Sequence, residues 1–211
     1  MLFPPRPRGR MNPTDLDFYE KSGLWCAQRK FNGTRNLIHI TPERKLTLWN
    51  RHGSNHKTFS FNKSYREEIL GCLNLEKGLE YWLDSELMNK QANATNEIIL
   101  YDVLQAGRYF FGKPTQVERL QLLADICGRP KTLEPGGLGL MLTSRVWMAE
   151  TFFNNFSARF KESLENPRLE GLVLRKKNVG LDSFGKSEKD AETGNIIRCR
   201  KPFSKTDGYN F

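Results

Sequence analysis

Seven residues near the start of the chain, RKFNGTR from Arg29 to Arg35, carry the ingredients of a nucleophile. A lysine attacks only after its ammonium has lost a proton, and positive neighbours or burial lower its pKa and ease that loss. Lys30 has Arg29 beside it and Arg35 a few residues on. Gly33 lets the backbone turn and come close to a phosphate. Taken alone, the segment reads as a β-turn with exposed basic residues. Further along, other short stretches place a chemically capable residue in a strand-like setting. They are Arg51 in NRHG, Glu86 in LDSEL, Tyr101 in LYDVL, Glu170 in EGLVLR, and Arg198, Arg200 and Lys201 in RCRKP. Each has a plain explanation of its own. Arg51 suits a surface hairpin, and Tyr101 suits a strand packed in a core.

As a series these stretches carry more than any one of them. In order and rough spacing they resemble the motifs of covalent nucleotidyltransferases, the superfamily of ATP-dependent DNA ligases, RNA ligases and mRNA capping enzymes. The resemblance runs from about Trp25 to Pro202. It takes in PTQVERLQLLADIC and the helical segment before EGLVLR. It implies that Lys30 attacks the α-phosphate of ATP to form a lysyl-AMP phosphoramidate, splitting one hard step into easier ones. It implies that Gln28 faces the adenine, that Tyr101 stacks on it, and that Arg35 meets the sugar or the nucleic acid. Arg51 would hold the ribose and phosphate side. Glu86 would handle ribose or metal, and Glu170 would position Mg²⁺, which neutralises polyphosphate charge and orients the pyrophosphate leaving group.

The sequence departs from the family pattern at three places. Asn32 stands where an aspartate is usual, which keeps a hydrogen-bond acceptor but loses a charge. Ser85 replaces a glycine before Glu86. The last motif is usually Lys-x-Lys before a proline. Counting back from Pro202 selects Cys199 and Lys201, whereas the basic-x-basic pattern selects Arg198 and Arg200, and both registers stay open. An arginine there would clamp phosphate oxygens without titrating.

The activity implied is that of a minimal ATP-dependent polynucleotide ligase. It would seal nicks by passing AMP from lysine to a 5′-phosphate, which the 3′-hydroxyl then attacks. EGLVLR and the helix after LYDVL are closer to DNA ligases than to RNA ligases, so nicked DNA is the favoured partner. The alternatives are an RNA ligase of the same superfamily and a non-catalytic nucleic-acid-binding module that keeps the fold. Asn32 and the irregular last motif favour the module. Retention of Lys30, Arg51, Glu86, Tyr101 and Glu170 opposes it.

These residues need elements to hold them. LWCAQRKF, RNLIHI and KLTLWN read as strands separated by turns, as do LEYWLDSELM, NEIILYDVL, EGLVLRKK and NIIRCRKP. TDLDFYEKSG reads as a short helix capped by Thr14 and stopped by Gly23, and YREEILGCL as another. TQVERLQLLADICG has apolar residues at 117, 120, 123 and 126, which is helical spacing. VWMAETFFNNFSARFKESLEN reads as one long amphipathic helix. The expected fold class is α+β, an ATP-grasp-like nucleotidyltransferase fold of antiparallel sheets flanked by helices. Residues 1–13 read as an extended, basic Pro/Arg-rich arm, a tether in the first place and a phosphate contact as the alternative, and 14–211 as one adenylation domain. KNVGLDSFGKSEKDAETGN reads as a polar surface loop.

Composition agrees with a polyanionic partner. The 211 residues hold 33 Lys and Arg against 24 acids, a net charge of +9. Four scattered cysteines make no CxxC pair and suit reduced thiols in a cytoplasmic setting. No secretory leader or membrane-spanning run is apparent. His39, His52 and His56 lack metal-ligand spacing and read as structural or surface. Only nine residues follow Pro202, too few for the OB domain that usually follows the last motif. The expectation is therefore a chain without a C-terminal OB domain, or one completed by a partner that supplies it.

Overall fold

The computed structural model describes residues 2–56, 59, 61–88, 96–110, 113–128, 139–181 and 191–202. In chain order the strands are β1 (Arg6–Met11), β2 (Trp25–Phe31), β3 (Thr34–Ile40), β4 (Leu46–Asn50), β5 (Tyr81–Met88) and β6 (Glu97–Ala106). They continue with β7 (Tyr109–Phe110), β8 (Leu140–Met141), β9 (Val146–Met148), β10 (Thr151–Phe152), β11 (Leu169–Lys176) and β12 (Glu192–Arg200). The helices are α1 (Leu16–Lys21), α2 (Lys63–Gly71), α3 (Gln116–Ile126) and α4 (Phe156–Glu165). Two sheets result. One has the order β1-β12-β11-β2-β10, the other β4-β3-β5-β6-β9-β8, with β7 pairing to β6. Most pairings are antiparallel; β1 with β12 and β6 with β9 are parallel. This is the expected α+β class.

Alternation along the strands gives each sheet two different faces. In β2, Trp25 and Ala27 join a core with Leu16, Phe152, Phe156, Phe160, Leu172, Leu174 and Cys199, which α1 and α4 cover. Gln28 and Lys30 therefore face the other way, toward the second sheet. A larger core holds the seven-stranded sheet to α2 and α3 through residues such as Leu37, Ile38, Leu83, Ile69 and Leu123. A third cluster is the seam between the sheets. There Phe31 and Leu169 of the first sheet meet Met88, Ile99, Tyr101 and Trp147 of the second.

The helix signals behave as capping chemistry requires. Thr115 and Glu118 form a reciprocal capping box at α3, and the Asn62 side chain accepts from the Tyr65 N–H at α2. Near α1 the cap is Asn12, not Thr14. Asn12 and Asp15 make a capping box around a 3-10 turn that leads into α1, and Gly23 follows the helix at φ 66°.

Two expectations are corrected. The segment read as one long helix from Val146 is instead β9, β10 and then α4. Pairing of Val146–Met148 with β6 and of Thr151–Phe152 with β2 satisfies that backbone. Asn155, left-handed at φ 58°, separates β10 from α4. The N-terminal segment is extended but is no loose tether. Arg6–Met11 is the edge strand beside β12, and Leu2 is buried in the larger core. Of the polar loop read between the last two strands, residues 182–190 lie outside the described residues, and its end from Glu192 belongs to β12. None of the described helices is long and apolar enough to cross a membrane.

Candidate active site

The facing surfaces of the two sheets enclose a cavity of about 770 Å³. Eight basic residues line it against three acidic ones. Lys30, near the end of β2, stands within it, and its Nζ is ion-paired with Glu170 of β11. Glu170 Oε2 also lies 3.1 Å from Arg200 Nη2 of β12. One carboxylate thus bridges two cations on neighbouring strands. Glu86 of β5 faces the same space from the opposite sheet. Burial, with Asp84 and Glu170 nearby, pushes its carboxyl up to about 7 although Lys30 and Arg35 pull the other way.

Close approach of β2 to β5 depends on Gly33. A Cβ there would sit 2.7 Å from both Glu86 Cγ and the Leu87 carbonyl oxygen, well inside van der Waals contact. The register of β3 with β5 then sets Arg35 opposite Glu86. Arg35 reaches back to Asp84, donating from Nε to Oδ1 at 2.7 Å and from Nη2 to Oδ2 at 2.5 Å. Ser85, in the place of the usual glycine, is fully buried within β5. Its hydroxyl accepts from Asn36 Nδ2 at 2.9 Å and donates to the Asn36 carbonyl at 3.0 Å, so the substitution is accommodated in a strand and not at a turn.

Gln28, two residues before Lys30 on the same face of β2, and Tyr101 line the cavity as well. Tyr101 is buried in the seam, its ring 6.1 Å from that of Phe31. Burial holds its phenol well above the ordinary range. Gln28 Nε2 donates to the Tyr101 carbonyl and to Thr151 Oγ1, each at 3.2 Å. A carbonyl can only accept, so it fixes which end of the amide is nitrogen. Gln28 Oε1 is then a buried acceptor with no partner, an arrangement that costs free energy unless a donor arrives.

The alternation of β12 separates its two possible registers. Ile196, Arg198 and Arg200 line the cavity, whereas Cys199 is fully buried in the opposite core. Lys201 is not among the lining residues. Its Nζ lies 3.5 Å from the Asn166 carbonyl oxygen, outside the cavity. Buried Nε donors on Arg198 and Arg200 have no hydrogen-bond partner. Arg51 also lines the cavity, in the turn after β4, with its Nε 3.0 Å from His52 Nε2.

Gln28, Lys30, Arg35, Arg51, Glu86, Tyr101, Glu170, Arg198 and Arg200 are therefore gathered around one space, and Lys201 is not. Asn32 is buried beside it, its N–H bonded to the Arg168 carbonyl at 2.9 Å. The two arginines expected to supply loose positive charge beside Lys30 are both paired. Arg35 holds Asp84, and Arg29 lies 3.1 Å from Glu162 and 3.5 Å from Glu150.

Sequence reasoning missed Asp84 and Arg175. Arg175 is buried on β11, 3.9 Å from Asp84 Oδ2 and 3.6 Å from Asp102 Oδ2. Asp102 is in turn held by Arg119 of α3 at 3.0 Å. Period-two spacing was the available signal: Arg175 follows Val173, and Asp84 precedes Glu86, on cavity-facing positions.

No protein-family model matches this sequence, and no curated protein does. Solved structures do match. The ligase domain of M. tuberculosis LigD superposes with a TM-score of 0.59 over 93% of this chain, at 13% identity. The chain has the nucleotidyltransferase fold of ATP-dependent DNA ligases. The ATP-dependent DNA ligase of bacteriophage T7, in complex with ATP, shares this nucleotidyltransferase fold over 93% of the chain with a TM-score of 0.57 at 10% identity. Chlorella virus DNA ligase-adenylate shares it over 95% with a TM-score of 0.51 at 13% identity. The chain spans 58% of the LigD ligase domain and 68% of each viral enzyme.

A divalent cation would have two carboxylates to meet in this cavity, although the described residues hold no cluster of three or more His, Cys, Asp or Glu that could bind one by themselves. Glu86 and Glu170 both face the Lys30 end of the cavity, and their mutual repulsion helps keep Glu86 protonated to about 7. A cation would remove that penalty. Two carboxylates plus phosphate oxygens and water are a sufficient donor set for Mg²⁺.

Proposed function

We propose that this chain is an ATP-dependent polynucleotide ligase that works through a lysyl-AMP intermediate, with DNA as the favoured strand. The observation that carries the reading is the placement of Lys30. It lies in a basic cavity with two carboxylates, an aromatic ring and an unpartnered amide acceptor.

Each residue then has a physical task. Tyr101 offers its ring to the base. Gln28 Oε1 accepts from an exocyclic amine, which adenine has and guanine lacks at the equivalent edge. A guanine carbonyl there would oppose a second acceptor, so the site favours ATP over GTP. Glu170 orients the Lys30 amine, which must be unprotonated to attack. Nζ forms a bond to the α-phosphorus while the bond to the bridging oxygen breaks. Pyrophosphate leaves and the nitrogen loses its proton. Arg198 and Arg200 donate to the phosphate oxygens, where charge grows as the reaction proceeds. Mg²⁺ held by Glu86 and Glu170 would neutralise polyphosphate charge. In the second step an oxygen of a 5′-phosphate attacks the same phosphorus, the phosphorus–nitrogen bond breaks, and Lys30 recovers its proton. In the third, the 3′-hydroxyl attacks the 5′-phosphorus and AMP departs.

The DNA preference draws on the names of the structural neighbours, which are DNA ligases, and on the EGLVLR motif. The test is to incubate the protein with Mg²⁺ and ATP labelled at the α-phosphate, with labelled GTP in parallel. The expected result is a labelled band from ATP alone that Lys30→Ala abolishes, followed by sealing of a nicked DNA duplex. Equal labelling of Lys30→Ala and wild type would overturn the assignment. No label from folded wild-type protein would favour the binding-module reading.

A further inference from the structure

The outer strand of the five-stranded sheet carries charge that the site above leaves unused. β1 ends the strand order and is paired on one side only, with β12. Its sequence, RPRGRM, places an arginine at every second position. Met11 packs into the core beneath α1 and α4, beside Cys199 in register. Side chains alternate along a strand, so Arg10 turns to the opposite face, and Arg8, two residues earlier, turns with it. That face is the one the cavity occupies: Arg10 is set directly beside Arg198 in the β1–β12 register, and Arg198 lines the cavity.

Arg8 and Arg10 are both exposed, and neither has a carboxylate partner among the described residues. Glu192, the acid on this part of β12, is exposed and stands opposite Arg6. Neither Arg8 nor Arg10 lines the cavity, so a nucleotide held at Lys30 is not what they meet. Their Cα atoms lie roughly 6.6–6.8 Å apart along the strand, close to the step between successive phosphates of one nucleic-acid strand. Charged residues on an edge strand also discourage pairing with other chains. That task requires no particular face, whereas both arginines share the face of Arg198. Burial first, then repulsion from Arg200 and Arg10, weakens the hold of Arg198 on its proton. The border is thus a gathering of like charge that a linear polyanion would relieve, one phosphate to each cation.

We propose that Arg8 and Arg10 form a phosphate track along the open border of the five-stranded sheet, on which the backbone of a nucleic-acid strand lies beside the cavity. This deepens the ligase reading, and rests on it for the identity of the strand as one whose end reaches Lys30.

The test is equilibrium binding of a labelled nicked DNA duplex across a series of salt concentrations, for wild type, Arg8→Ala and Arg10→Ala. Each substitution should weaken binding by about fivefold near physiological salt and make the plot of log affinity against log salt shallower by about 0.9. Arg8→Lys and Arg10→Lys should keep the wild-type slope, because they keep the charge. Lys161→Ala removes one exposed charge from α4, on the opposite face of the same sheet, and should leave the slope as it is. Wild-type affinity and slope in both alanine variants overturn the track and leave the ligase reading intact. So does a loss that Lys161→Ala reproduces, which marks net charge alone, or one that comes with a fall in melting temperature, which marks damage to the edge strand. Slowing of protein labelling from ATP as large as the loss of duplex affinity would place the two arginines at the nucleotide and overturn the track as well. Binding to anionic phospholipid vesicles that both substitutions remove, with duplex binding untouched, would assign the stripe to a membrane surface instead. Duplex binding by a wild type that takes no label from ATP would keep the track, as that of a binding module, and overturn the ligase reading.

Discussion

At the scale of single residues, the chemistry turns on how three carboxylates and a lysine share one basic cavity. Glu86 is the group with the clearest signature. Its carboxyl is raised from an ordinary value of 4.5 to about 7, chiefly by burial. The sign of the effect on stability follows. Below about 4.5 the group is protonated both folded and unfolded, so it contributes nothing. As pH rises toward 7 the unfolded chain ionises it while the folded protein holds the proton, and folding becomes costlier. Above 7 the cost levels off. Glu86→Gln should therefore match wild type in stability near pH 4, gain on it between 4.5 and 7, and keep a constant advantage at pH 8. Denaturant melts of both proteins across that range check this, and a difference independent of pH would contradict it. The placement of Lys30 on the cavity wall was signalled by the series of motifs and not by its own segment, which alone reads as an exposed basic turn. Its partners were not. Nothing local indicates that Arg29 and Arg35 spend their charge on Glu162 and Asp84, since those partners come from distant parts of the chain.

At the scale of elements, strand alternation decides which residues reach the cavity. It explains the last motif: in β12 the arginines face inward while Cys199 packs among apolar side chains behind them. The spacing between β11 and β12 depends on Gly171, at φ 129°, where an added Cβ would lie 2.1 Å from the Cys199 carbonyl oxygen. Gly171→Ala should destabilise the protein by at least about 3 kcal/mol and should disturb Lys30, its partner across β2 in register. A chemical melt reads the first effect, and an unchanged midpoint would mean that the two strands do not approach as described. Strands with a clear period of two were legible in the sequence, as were α2 and α3, which carry their caps locally. The stretch from Val146 was misread because its apolar residues fit a helical spacing. What overrides that spacing is pairing with β6 and β2, remote strands whose availability no local pattern reports. The N-terminal strand was missed for the same reason. Its proline content suggested a tether, yet a parallel edge position beside β12 tolerates prolines, whose missing N–H groups need no partner there.

At the scale of the whole molecule, the two sheets are joined by the apolar seam, by the N-terminal segment from Leu2 to Arg6, and by a buried chain of charges. Arg35, Asp84, Arg175, Asp102 and Arg119 alternate in sign from β3 to α3. Arg175 is the central link and the one supplied by the other sheet. Arg175→Met should cost about 1–3 kcal/mol, because it removes the cation between two buried carboxylates while each keeps an arginine of its own. The same variant should also lower the rate of protein labelling from ATP, as Asp84 loses the partner that helps hold Arg35 in place. Retention of both stability and rate would show that the ionic chain does not hold the sheets together. The alternation has an odd number of members and begins and ends on arginine, so the series is left one negative charge short on the wall of a cavity already rich in cations. Any small polyanion that enters supplies that charge, and a ligand bound only by the folded state raises its stability. The protein should therefore melt at a higher temperature with roughly a few millimolar pyrophosphate, low enough to avoid the general salting effect of such anions, than in chloride at equal ionic strength, which makes the choice of storage buffer a probe of whether the site is formed.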